Sequence, residues 1–118
     1  MLIYCATPSR ISGKKKEIMD FVTRQGLGPF HPFQAFEYER FEGGPIGRKK
    51  TMKFCCRAID ICDEFWMFGI SEGTLTELHH ALKKHKPIRL FLDEFDPNWQ
   101  IEYAKLKDKF NDPLNRIH

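Results

Sequence analysis

The residues best suited to chemistry in this sequence stand in Ser71-Glu72-Gly73-Thr74-Leu75-Thr76-Glu77, directly after the apolar run Phe65-Trp66-Met67-Phe68 and at the start of a helical pattern. A carboxylate at that point, beside a glycine that lets a ligand approach the backbone, can act as a nucleophile on a sugar carbon. The same segment also reads as a capping box, with Thr74 as N-cap and Glu77 three residues later, each side chain satisfying an orphan N–H. Both readings of Glu77 stand on the sequence.

A second candidate is the loop Thr7-Pro8-Ser9-Arg10-Ile11-Ser12-Gly13-Lys14, which leaves the first apolar run and opens a helix. Backbone N–H groups at a helix start favour an anion, and Arg10 could add a charged fork, so a phosphate or a sugar hydroxyl could sit there. The plainer reading makes Ser12 a simple N-cap. The loop matches no full P-loop pattern.

Other chemically suggestive residues carry less. Asp63, in Ile61-Cys62-Asp63-Glu64, precedes a strand, where acidic residues commonly mark a boundary, and its spacing alone gives it no role. Of His79, His80 and His85 only the last two approach one helical face, and no carboxylate or cysteine lies at ligand spacing, so they read as a solvated face. Vicinal Cys55 and Cys56 point about 100° apart on a helix and read as core. The four cysteines contain no CxxC pair, which points to reduced thiols and to no metal site.

The elements that must position these groups alternate. Leu2 to Ala6 is a short apolar run, Ser12 to Gln25 an amphipathic helix, and Pro29 to Phe33 a second short strand. Gln34 to Gly47 is a polar, glycine-containing connection, read as a mobile loop over the site. Arg48 to Cys62 is helical, Phe65 to Phe68 a buried strand, Thr74 to His85 a helix, Ile88 to Leu92 a strand, and Asn98 to Phe110 a last helix. Such alternation predicts an α/β fold with a parallel sheet of four or five strands, covered on both faces. Sheets of this kind bind ligands beyond the carboxyl ends of their strands.

Composition bounds the function. With 118 residues, 42% of them hydrophobic, 30% charged and 11 of them Phe, residues 1–118 read as one globular domain with a real core. A net charge of +3 mildly favours anionic ligands and falls short of a nucleic-acid footprint. The lysine clusters lie on predicted helices as solvated faces. No apolar run reaches the ~18 residues of a membrane span, and a cytoplasmic location with no membrane partner is the expectation.

Ile3-Tyr4 on the first strand, Asp63 before a later one, and Gly73-Thr74-Leu75-Thr76-Glu77-Leu78-His79-His80-Ala81 ahead of Lys86-Pro87 together resemble the nucleoside 2-deoxyribosyltransferase superfamily. Its pattern there is a glycine four residues before a catalytic glutamate and an alanine four residues after it. Cys62 to Gly73 is also similar to a phage and bacterial branch of that superfamily. The resemblance is most specific from Ala58 to Leu92. It implies a flavodoxin-like three-layer sandwich in which Glu77 attacks the anomeric carbon, expels the base and leaves a sugar ester that water or a second base resolves. By matching position, Asp63 would contact the base or its proton, and Tyr4 would orient Glu77. Six residues before the glutamate the transferases carry an aspartate, whereas this chain has Ser71, as do the related deoxynucleoside 5'-monophosphate N-glycosidases. A serine suits a phosphate that a carboxylate would repel. The resemblance therefore implies a nucleoside or nucleotide substrate, with a 5'-phosphorylated one preferred, and Ser71, Gly73, Ser9 and Arg10 at its sugar-phosphate end. It further implies no metal or organic cofactor, and a homodimer or larger homo-oligomer. The alternative is a nucleotide-binding protein that sequesters or senses its ligand without turning it over.

Overall fold

The computed structural model describes residues 1–117. Its sheet has four parallel strands, β1 (Leu2–Ala6), β2 (Gly28–Phe30), β3 (Glu64–Met67) and β4 (Ile88–Leu90), in the order β2-β1-β3-β4. Parallel neighbours require crossovers, and the helices α1 (Lys15–Thr23), α3 (Arg48–Ile61) and α4 (Glu72–Lys83) supply them. Three short helices complete the set: α2 (Pro32–Ala35), α5 (Leu92–Phe95) and α6 (Trp99–Leu106). This is the flavodoxin-like three-layer α/β architecture, with four strands in the sheet.

The two faces follow from the period of two along each strand. Tyr4 and Ala6 on β1, with Phe65 and Met67 on β3, pack against Cys55, Ala58 and Ile59 of α3 and Leu75, Leu78 and Ala81 of α4. Ile3 and Cys5, with Trp66 and Phe68, face the other way onto Ile18 and Val22 of α1. Phe21 meets Trp66, Phe68, Phe91 and Phe95 edge-on at centroid distances of 4.9–6.2 Å. Burying each side chain of this size is worth roughly 1.5–3 kcal/mol, so both layers are strongly held.

The boundaries differ from the sequence reading in informative ways. The second strand stops at Phe30, because His31 takes the N-cap of α2 and accepts the Phe33 N–H, with Pro32 at the first helical position. Ser9–Lys14 is a 3₁₀ stretch kinked at Ile11, so α1 begins at Lys15 and Ser12 does not cap it. The last helix is shorter than expected, and Leu92, predicted in the fourth strand, opens α5. Gly69, just past β3, is demanded by packing: a Cβ there would lie 2.6 Å from the Pro8 ring and 2.9 Å from Asp96. The connection from 36 to 47 is not an open loop. Its backbone bonds back on itself from Phe41 to Glu37, Gly43 to Tyr38 and Gly47 to Phe41, and the Phe41 ring sits against Phe36 and Phe54.

Candidate functional site

The carboxyl ends of β1 and β3 open into a hollow of about 130 Å³. Thr7 and Ser9 border it from the segment after β1, and Ser71, Gly73, Thr74 and Glu77 from the start of α4. Phe33, Phe36 and Glu42 close it from the β2–α3 connection, while Arg48, Thr51, Met52 and Cys55 form the α3 wall.

Which reading of Glu77 holds depends on where α4 begins. The helix starts at Glu72 with Ser71 as N-cap: the Ser71 hydroxyl accepts the Thr74 N–H at 3.1 Å, and the Thr74 hydroxyl accepts the Ser71 N–H at 2.8 Å. The capping box is therefore Ser71 with Thr74, one turn earlier than the expected Thr74 with Glu77. Glu77 is free of backbone amides and sits in the second turn of α4, 5% exposed, on the wall of the hollow. The Thr74 hydroxyl gives its proton to the Gly69 carbonyl at 3.0 Å, and the Ser71 O–H donates to Thr74 Oγ1 only at 3.4 Å, a long bond that a ligand acceptor can replace.

Beneath Glu77 lies Tyr4, fully buried and stacked between Phe30 and Phe65 at centroid distances of 5.8 and 5.6 Å. Its phenol donates a hydrogen bond to Glu77 Oε2. Burial first, then the Glu77 charge, pushes the phenol well above its ordinary 10, so it remains a donor. Burial likewise drives the Cys55 thiol to about 12, and that thiol lies near Glu77 and favours its charged form. Glu77 itself rises from 4.5 to about 7, mainly through burial, with Tyr4 and Cys55 pulling down and the charge of Glu42 adding to the rise.

A second hydrogen-bonded chain orders the β1 side. His31 is 2% exposed, and burial with the nearby Lys15 lowers it to about 4, so it is neutral. Its Nδ1 accepts from the Phe33 N–H, which leaves Nε2–H to donate to Thr7 Oγ1 at 3.0 Å; Thr7 in turn donates to the Cys5 carbonyl. Thr7 therefore meets a ligand only as an acceptor.

The structure brings together Glu77, Tyr4, Ser71, Gly73 and Ser9. At Gly73 an added Cβ would make only ordinary contacts, 3.7 Å from Ser71 and 3.8 Å from Met52, so the protein itself does not require a glycine there. Two expected residues lie elsewhere. Arg10 is committed to Asp96, with 2.7 Å contacts to both carboxylate oxygens, and to the Ile70 carbonyl at 2.5 Å. Asp63 stands at the amino end of β3, accepting the Leu2 N–H at 2.7 Å, with the whole strand between it and the hollow. Arg48, Glu42, Phe33, Phe36 and Cys55 were not singled out as site residues by sequence reasoning. The one local signal was an acid followed by two glycines, Glu42-Gly43-Gly44.

No protein-family model matches the chain. No curated protein matches it either. The functional argument therefore rests on the geometry. Among the described residues no group of three His, Cys, Asp or Glu side chains is arranged to hold a metal ion. His80 is paired with Asp60 of α3 at 2.7 Å, a carboxylate partner that spacing within one helix does not reveal. No helix of the described residues is long and apolar enough to cross a membrane.

Proposed function

We propose that this protein cleaves or transfers the N-glycosidic bond of a nucleoside or nucleotide, with Glu77 as nucleophile, in the manner of the deoxyribosyltransferase superfamily that its sequence resembles. The observation that carries the reading is the freedom of Glu77: it caps nothing, lines the hollow, and rests on a neutral donor, the Tyr4 phenol, with the neutral Cys55 thiol nearby. Such a donor orients a carboxylate without neutralising it as a cation would.

The hollow is smaller than the roughly 300–1,000 Å³ of pockets that enclose a drug-sized ligand. It suits a pentose, with the base against Phe33 and Phe36 and a 5'-substituent towards Ser9, Ser71 and the first turn of α4. Thr7, an acceptor, suits a sugar hydroxyl. Arg48, on the rim, takes the phosphate role first expected of Arg10. The Glu77 oxygen attacks C1', the C1'–N bond breaks with its electron pair passing to the base, and water or a second base then displaces the ester. A homodimer or larger assembly belongs to the same proposal, and sedimentation tests it.

The experiment is base release from deoxynucleoside 5'-monophosphates and free deoxynucleosides. Release by the wild type and its loss in Glu77→Ala support the proposal, and equal release by the variant removes Glu77 from the mechanism. Because the attacking carboxylate must be ionised, kcat/KM for a substrate whose base leaves without taking a proton should rise as pH passes through about 7. The same raised value favours a second reading, binding without turnover, since half the molecules then carry a neutral Glu77 at that pH. Tight binding of a nucleotide recovered intact would decide for it.

A further inference from the structure

Breaking an N-glycosidic bond leaves electrons on the base, and a poor leaving base needs a proton as the bond breaks. The proposed function names no source for that proton, and the expected one, Asp63, is at the wrong end of the sheet. The groups around the hollow narrow the choice. The Cys55 thiol is held near 12, and Arg48 gives up no proton in this range. His31 is neutral with both ring nitrogens already bonded, and Tyr4 lies beneath Glu77 with its proton committed to it. Among the described residues that line the hollow, the carboxyl other than Glu77 is Glu42.

Glu42 is also placed as a working group would be. It follows Phe41, whose ring is fixed against Phe36 and Phe54, and precedes Gly43 and Gly44 in a turn closed by the Gly43-to-Tyr38 and Gly44-to-Phe41 backbone bonds. That turn is tight: a Cβ on Gly43 would lie 2.2 Å from the Tyr38 ring, and one on Gly44 2.0 Å from the Glu39 carbonyl oxygen. The only ion pair of Glu42 among the described residues is a loose one, 3.8 Å from Arg48 Nε, which leaves the carboxyl able to turn to a ligand.

We propose that Glu42 is the acid–base catalyst of the reaction begun by Glu77, a role that rests on the N-glycosidic reading above. In the first step Glu77, ionised, bonds to C1' as the C1'–N pair leaves with the base, and the Glu42 carboxyl delivers its proton to a ring nitrogen of that base. In the second, the Glu42 carboxylate takes a proton from water, the water oxygen bonds to C1', and the ester pair returns to Glu77. The enzyme regains its starting protonation. The two carboxyl groups line one hollow, and the reaction draws on the state in which Glu77 is ionised and Glu42 carries the proton.

The test pairs two substrates with two variants. Base release is measured from 2'-deoxyguanosine 5'-monophosphate and from its N7-methylated form, whose cationic base leaves without needing a proton. For Glu42→Gln the expected loss is about 10²–10⁴-fold on the unmodified nucleotide and less than about threefold on the methylated one. Glu77→Ala should lose both. An equal loss on both substrates in Glu42→Gln overturns the acid–base role and leaves the Glu77 reading standing. Absence of release from either substrate by the wild type overturns the Glu77 reading, and the role of Glu42 falls with it.

Discussion

Replacing Glu77 with Gln should flatten the pH dependence of this protein's stability. The carboxyl is buried, and its ordinary 4.5 rises to about 7 in the fold, chiefly because burial penalises the charged form. In the unfolded chain it ionises near its ordinary value. Between the two, the folded state holds a proton that the unfolded state has lost, so stability falls as pH rises across that window. A rise from 4.5 to about 7, at ~1.4 kcal/mol per pH unit, corresponds to roughly 3 kcal/mol that is present below 4.5 and gone above about 7.

The variant carries an uncharged amide of nearly the same volume, and its oxygen can still accept the Tyr4 O–H. Urea unfolding of both chains at pH 5 and pH 8 isolates the effect, because every other titrating group is common to them. The wild type should lose about 2–3 kcal/mol more than the variant between those conditions. At pH 8 the variant should be the more stable of the two. Equal losses in both chains would refute the claim that Glu77 is held ionised against its surroundings, and with it the physical basis for a reactive carboxylate.

Tyr4→Phe keeps the ring stacked between Phe30 and Phe65 and removes one donor to Glu77; the acidic limb of the kcat/KM profile should move to higher pH, with activity at pH 7 down by about tenfold, or ~1.4 kcal/mol. Arg10→Ala strands the buried Asp96, and although Arg10 is about one-third exposed the stability loss should reach about 2 kcal/mol by urea unfolding, with KM unchanged. Gly44→Ala forces the turn that carries Glu42 apart, 2.0 Å from the Glu39 oxygen, so kcat should fall while urea unfolding shows a loss of about 1–3 kcal/mol. Arg48→Ala should raise KM for a nucleoside 5'-monophosphate by about threefold to tenfold and leave the free nucleoside unaffected, a modest figure because the side chain is largely exposed.

The fold was legible where burial writes a pattern. Phe65 to Phe68 and Leu2 to Ala6 are continuous apolar runs because a central parallel strand is covered on both sides, and the helices between them show the 3.6-residue stripe. The strand order was not written anywhere in the chain, since it depends on which edge each crossover reaches. At the site, the sequence placed Glu77 correctly near a strand mouth but left its job open, because Ser71 and Thr74 can each cap a helix and lie about one turn apart. The misplacement of Asp63 was avoidable: a residue before a parallel strand lies at the end opposite to the ligand side. Arg10 was not recoverable, as its partner Asp96 is 86 residues away. Nor was Glu42, which sits in a connection with no periodicity, where only tertiary contacts say what faces the hollow.

Two buried acids in this molecule show how the fold separates structure from reactivity. Asp96 and Glu77 are 0% and 5% exposed, and burial pushes both towards the neutral form. At Asp96 the Arg10 guanidinium and the Ile70 N–H outweigh that push and hold the carboxylate below its ordinary range, so its charge is spent on an ion pair that pins β3, the first loop and α5 together. At Glu77 the hydrogen-bond partner is a phenol, with a thiol nearby, both neutral, and the push wins. A carboxylate matched to a cation is stable and unreactive, whereas a buried one held by a neutral donor keeps its basicity and gains most when positive charge develops before it. In the N-glycosidic reaction proposed above, the oxocarbenium-like C1' of the sugar, as the base departs, is such a charge. On that proposed reading, part of the roughly 3 kcal/mol of stability forgone at Glu77 above pH 7 would be regained in the transition state, with the ion pair at Asp96 holding the strand ends in place.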